Sequence, residues 1–207
     1  MNVRKNMPRA ETSVQETSGF VPQSHRRIEG PPPADLLDKL RHGGFIEPVQ
    51  WEKTSERWLA AEELGNYPQA VDALCAELDR ADGDLLLFLC KGLAQIGDPK
   101  SVAPLLAKWK KAARCQPGSR YIPDALAATG DRSVVPHLIA PLHSVRFDFR
   151  LHIAHALGAL GGPEAERALE DLAANDPFPA VRQEAHEALS FLRAGRAPGA
   201  GHRRPGQ

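Results

Sequence analysis

Four glycines recur at almost constant intervals: Gly65, Gly97, Gly130 and Gly161, separated by 32, 33 and 31 residues. A fifth equivalent point falls at Leu192 and Arg193, where the last apolar stretch ends. A period of this size constrains the fold more than any other feature, because each repeat can bury its apolar face only against its neighbours. Each glycine closes a run with helical apolar spacing. Leu93-Ala94-Gln95-Ile96-Gly97-Asp98 aligns with Leu126-Ala127-Ala128-Thr129-Gly130-Asp131 and with Leu157-Gly158-Ala159-Leu160-Gly161-Gly162. Ala61-Glu62-Glu63-Leu64-Gly65-Asn66 is a weaker copy. Glycine at such a point is expected to take the left-handed conformation that ends a helix without a Cβ penalty. Asp98 and Asp131 then stand where a helix start or tight turn wants a short acceptor side chain.

A second apolar run follows each glycine. Ser101-Val102-Ala103-Pro104-Leu105-Leu106 matches Ser133-Val134-Val135-Pro136-His137-Leu138 in spacing and in its proline. A proline in the first turn costs a helix little. The runs from Gln69 to Leu74 and from Glu164 to Leu169 are the other two copies. The unit is therefore helix, glycine turn, helix, short loop. Neither helix is long enough to be stable alone in water. The expected fold is all-α: a right-handed α-solenoid of four to five helical pairs, without strands.

The unit resembles the HEAT-like repeat of the phycobilin-lyase type, over about residues 50–193. Its last copy carries the pattern at Asp176, Val181-Arg182, Ala185, Ala188-Leu189 and Leu192. The copy before it carries Phe149-Arg150, Ile153-Ala154, Ala156-Leu157-Gly158 and Leu160-Gly161. The copy at Arg120 is degenerate, with Pro123 inside it, and the copy from Leu85 to Ile96 lacks the arginine. The resemblance implies that the helices carrying these positions line a concave face. It also implies a structural role for Arg150 and Arg182, each bonded to an acidic or carbonyl group in the neighbouring turn.

Residues 1–33 are polar, mixed in charge and end in Pro31-Pro32-Pro33; they are expected to form a disordered arm. Residues 34–194 form the expected solenoid. Its first part, with a short helix over residues 34–41 and apolar anchors Trp51, Trp58 and Leu59, is read as an N-terminal helical cap. The Gly-, Pro- and Arg-rich residues 195–207 are expected to be a disordered tail. No apolar run suits a signal peptide or a bilayer span. Cys75, Cys90 and Cys115 show neither close pairing nor metal spacing, and read as reduced thiols of a cytoplasmic protein.

Positions left over by the helical core pattern stack into columns across successive repeats. One column reads Lys91, Asp124, His155, Glu187; the next reads Phe88, Tyr121, His152, Glu184; a third reads Leu87, Arg120, Leu151, Gln183. A surface of aromatics, histidines and alternating charge suits a protein partner better than a phosphate backbone. The plainer reading of such positions is a solvated helix face. Phe88 and Tyr121 are the expected anchors. His152, His155, Glu184 and Glu187 would also make a donor set for iron or zinc. The HEAT-like deoxyhypusine hydroxylases hold iron through His-Glu dipeptides just after the repeat arginine. Here Leu151-His152 and Gln183-Glu184 follow it instead, and His186-Glu187 is out of place. No metal and no cofactor are expected.

Lys108, Trp109, Lys110, Lys111 and Arg114 form a basic segment that extends to Arg120, with no acidic residue over 107–122. Lysines near a helix end complement its dipole. The functional reading is an acidic partner, or nucleic acid with Trp109 stacking on a base. Nucleic acid is the less favoured partner, because 26 Lys and Arg balance 26 Asp and Glu, and the segment lies mainly on a second helix, away from the columns. Glu164, Glu166, Glu170 and Asp171 make an opposite, negative edge, which leaves self-association open. No Ser/His/Asp order, phosphate loop or nucleotide motif is present. The functional expectation is a non-enzymatic protein-binding module: an adaptor, an assembly factor or an inhibitor of a partner. The alternatives are a chromophore-lyase-like enzyme or chaperone, and a nucleic-acid-binding HEAT-like protein.

Overall fold

A computed structural model describes residues 27–44, 55–112 and 117–195. Trp51, Arg114, Cys115, residues 1–26 of the expected arm and residues 196–207 of the expected tail lie outside them. Among the described residues there are ten α-helices and no strand. The helix α1 (Ala34–His42) packs on α2 (Glu56–Leu64). Four helical pairs follow: α2 with α3 (Val71–Glu77), α4 (Gly83–Ile96) with α5 (Val102–Ala112), α6 (Ile122–Ala128) with α7 (Val135–Ile139), and α8 (Phe147–Leu160) with α9 (Pro163–Asn175). The long helix α10 (Pro179–Gly195) opens a further repeat. The first helices form a continuous row, α2 on α4, α4 on α6, α6 on α8 and α8 on α10. In the second row, α7 packs on α9. This is an all-α solenoid.

Local chemistry makes the turns. Asp98 Oδ1 accepts from the Lys100 N–H at 2.8 Å, and Asp131 Oδ1 accepts from the Ser133 N–H at 2.9 Å. Each bond starts a 3-10 turn that leads into a second helix. Gly97 and Gly130 end their helices with φ of 64° and 70°, the left-handed region where a Cβ is penalised. Gly65 differs from expectation, with φ of −60°. There the chain leaves α2 through three-residue steps, Asn66 N–H to the Glu63 carbonyl and Tyr67 N–H to the Leu64 carbonyl. A Cβ at Gly65 would collide with the Gln95 side chain, so close approach rather than handedness favours glycine.

One core runs through both rows. Leu64, Leu74, Leu86, Leu89, Leu93, Leu105, Leu126, Leu138 and Ile153 are all fully buried. Between α8 and α10 the backbones come so close that a Cβ on Gly158 would lie 2.7 Å from Ala188 Cβ. Burial of a large aliphatic side chain contributes about 1.5–3 kcal/mol, so stacking supplies what each short helix lacks.

Two boundary expectations need correction. The arm does not run free to residue 33: the Ile28 N–H donates to the Asn66 carbonyl at 2.8 Å, and its side chain packs against the core. The turn after α2 leaves the Asn66 carbonyl open, and the Ile28 N–H uses it. Leu59, expected as an anchor, is 46% exposed, while Trp58 packs against the core. Arg41 ties α1 to the end of α3 through Glu77 at 2.6 Å.

Candidate functional site

Helix α8 turns Phe149, Ile153, Ala156, Leu157 and Leu160 into the core, which leaves His152 and His155 on its outer side. Both imidazoles face Asp124 on α6. His152 Nδ1 lies 2.6 Å from Asp124 Oδ2, and His155 Nδ1 lies 3.9 Å from Asp124 Oδ1. Tyr121, just before α6, meets the His152 ring edge-on at 4.8 Å. Arg120 donates from Nη2 to the Tyr121 hydroxyl at 3.2 Å, and its Nη1 stands 3.7 Å from Asp148 Oδ2. Helix packing has thus gathered Arg120, Tyr121, Asp124, His152 and His155 from two parts of the chain.

Glu184 adds a third part, from α10. Burial pushes its carboxyl above the ordinary glutamate range; His155 opposes this, and the nearby charges of Glu187 and Asp124 reinforce it. No hydrogen bond or ion pair holds Glu184 among the described residues. Asp124 Oδ1 is likewise shielded from water and has no hydrogen-bond partner there. Glu187 is exposed and accepts from Gln183 Nε2 at 2.7 Å. At the other end of the row, Lys91 Nζ sits 3.7 Å from the centre of the Trp58 ring.

Several expected site residues stand elsewhere. Phe88 is only 6% exposed, because Trp58 of α2 covers it edge-on at 6.5 Å; it is a core residue, not an anchor on an open face. Leu87 is half-buried against the same core. The basic segment also dissolves as an open patch. Trp109 is 3% exposed, packs near Phe149 at 6.3 Å and donates from Nε1 to the His137 carbonyl at 3.2 Å. Lys108 is buried with its ammonium on the Asp79 carbonyl at 3.3 Å, and Lys111 pairs with the Asp79 carboxylate at 2.6 Å. Lys110 is exposed. No ring on α5 is free to stack on a base.

The two repeat arginines have the structural role expected of them. Arg150 clasps the Asp176 carboxylate, and Arg182 Nη1 donates to the Asp176 carbonyl at 2.7 Å. Cys75 and Cys90 are free thiols. Burial, with Asp72 and Asp98 nearby, pushes Cys75 up to about 11, and burial raises Cys90 further, so both are poor nucleophiles. Among the described residues no group of three or more His, Cys, Asp or Glu is arranged to hold a metal ion. A shallow hollow of about 490 Å³ lies between α7 and α9, lined by Pro136, Ile139 and Ala168.

Sequence reasoning missed one surface pair. Phe147 and Phe178 are both exposed, and their rings stack at 4.8 Å. Each stands at the start of a helix rather than in the middle of one, so no column of helix positions contains it. No described helix is long and apolar enough to cross a membrane.

No curated protein matches the chain. Residues 119–190 match the family model described as HEAT repeats, a segment that runs from the turn before α6 into α10. With the helix pairs before it built on the same plan, the chain is an all-α solenoid whose residues 119–190 are similar to HEAT repeats.

Proposed function

We propose that the chain is a non-enzymatic protein-binding module, and that its partner docks on the outer side of α6, α8 and α10. HEAT repeats commonly serve protein interaction, and the reading rests on one observation. Glu184 is held half-buried without a hydrogen-bond or ion-pair partner among the described residues, beside Asp124, whose shielded Oδ1 accepts no hydrogen bond there. Desolvating carboxylates without satisfying them opposes folding. A group kept at such a cost is explained when a partner supplies the missing donor. Tyr121 would then serve as the anchor, with His152 and His155 at the centre and Lys91, Arg120 and Glu187 steering at the periphery. An adaptor, an assembly factor and an inhibitor are all compatible with this surface. The lyase-like alternative needs an enclosed chromophore pocket, for which these open helix faces offer no support. The nucleic-acid alternative loses its stacking residue with Trp109.

The experiment is an affinity capture from the native host, followed by titration of the captured protein with variants. Tyr121→Ala combined with Glu187→Lys is expected to weaken binding by ~30-fold or more, as loss of a hot-spot anchor does. Lys110→Glu combined with Lys111→Glu is expected to leave it unchanged. The reverse pattern in folded variants overturns the assignment.

A further inference from the structure

We propose that Arg146, Phe147 and Phe178 form a second docking surface, for an acidic peptide segment that carries a large apolar side chain. The proposal takes from the protein-binding reading only that the occupant is a peptide. Apart from Arg120, it uses none of the column residues.

The aromatic part comes first. Phe147 opens α8 and Phe178 immediately precedes α10, so both lie on the rim where the first helices begin. Their rings are nearly parallel, at 16°, yet Phe147 remains 38% exposed and Phe178 43% exposed. Stacking two rings hides one face of each and leaves part of each in water. Exposed aromatics fixed side by side present a rigid apolar contact area with little rotamer entropy left to lose. Arg150 covers part of Phe178, 5.5 Å from its ring centre. The charge of Arg150 is already cancelled by Asp176.

Charge then selects the occupant. Asp148 is the only carboxylate that Arg146 and Arg120 approach among the described residues, at 3.2 Å and 3.7 Å. Two guanidinium groups share one carboxylate, so the rim keeps a net positive charge. The Arg146 side chain is 71% exposed, and its contact with Asp148 Oδ1 lacks hydrogen-bond geometry. Its fork of N–H donors is open to a carboxylate from outside. A basic segment would meet like charge here, whereas an acidic one would meet both an apolar ledge and a free guanidinium.

The test uses the full chain with labelled phenylalanine rings observed by NMR. The probe is the blocked peptide Glu-Asp-Phe-Glu-Asp-Leu, and its control is Lys-Lys-Phe-Lys-Lys-Leu. The acidic probe is expected to shift the Phe147 and Phe178 resonances saturably. The basic probe, and the acidic probe on Arg146→Glu, should bind at least ~10-fold more weakly, as charge reversal at a contact does. Arg146 is exposed, so that variant keeps the test valid where Phe178→Ala fails to fold. His155→Ala with Glu187→Lys, column residues that do not touch Arg120, should leave these shifts unchanged, so failure at the columns and failure at the rim are distinguishable. Ring shifts that are absent at millimolar probe, or equal for the two peptides, overturn the proposal. So does a preference for single-stranded deca-thymidine, or ring shifts that appear on concentrating the protein alone.

Discussion

Arg150 and Asp176 form a two-point ion pair, with Nε to Oδ2 at 2.5 Å and Nη2 to Oδ1 at 3.2 Å. Their side chains are only 11% and 2% exposed. The pair joins α8 to the turn that starts α10. The same aspartate also accepts the Phe178 N–H at 2.9 Å through its side chain and Arg182 through its carbonyl. One acidic residue therefore organises the junction between two repeats.

Asp176→Asn is expected to destabilise the protein by about 3 kcal/mol or more, because it leaves Arg150 buried without its counter-charge. The wild-type pair also sets a pH dependence. Burial alone would raise the Asp176 carboxyl, but the Arg150 bonds, the Phe178 N–H and the Arg182 charge outweigh it and hold it below the ordinary range. Its stabilisation is therefore complete above the unfolded value, ~3.9, and is lost as pH falls through the lower native value. Thermal melts below about pH 4 should show wild type losing this advantage over the variant. Parallel pH profiles for the two proteins would remove Asp176 from this role.

Glu184→Gln is expected to do the opposite at neutral pH. A carboxyl whose native value is raised opposes folding once ionised. That penalty is absent below the unfolded value, about 4.3, and complete above the raised native value. The variant should melt higher than wild type at pH 7, with the difference vanishing near pH 4. A lower melting temperature at pH 7 would mean that Glu184 has a stabilising partner, and would undercut its place in the docking surface.

The turn glycines separate two costs. Gly130→Ala meets open space but must adopt a left-handed φ, a cost of ~1–2 kcal/mol. Gly97→Ala has the same handedness and also brings its Cβ within 3.0 Å of the Ala128 carbonyl oxygen. Urea unfolding should therefore rank Gly97→Ala as the more damaging. Equal losses would show that the neighbouring turn yields freely.

Trp109→Ala is expected to cost roughly 3–5 kcal/mol, the range for emptying a buried aromatic site, with loss of the bond to the His137 carbonyl included. Lys110→Glu, on the exposed side of the same helix, should change stability by less than about 0.5 kcal/mol. Comparable small effects for both in calorimetry would return Trp109 to the surface.

The sequence by itself determined the period, the helix pairs and the turn chemistry. Gly97, Gly130, Asp98 and Asp131 act through their own backbone and nearest neighbours, and local rules of that kind are readable one residue at a time. The grouping of Tyr121, Asp124, His152, His155 and Glu184 was legible as well, since residues at equal phase in stacked repeats must lie side by side. Exposure was decided only by tertiary packing. Phe88 reads as an outward position on α4 until Trp58 of α2 covers it, and Trp109 reads as a surface ring until α7 and α8 close around it. Phe147 and Phe178 make the complementary case, two rings at the starts of separate helices that meet because α8 and α10 stack. Periodicity states which residues share a face of one helix, but what covers that face depends on the position of the next element. That position is set by close contacts such as Gly158 against Ala188 and by the Arg150–Asp176 clasp, between residues far apart in the chain.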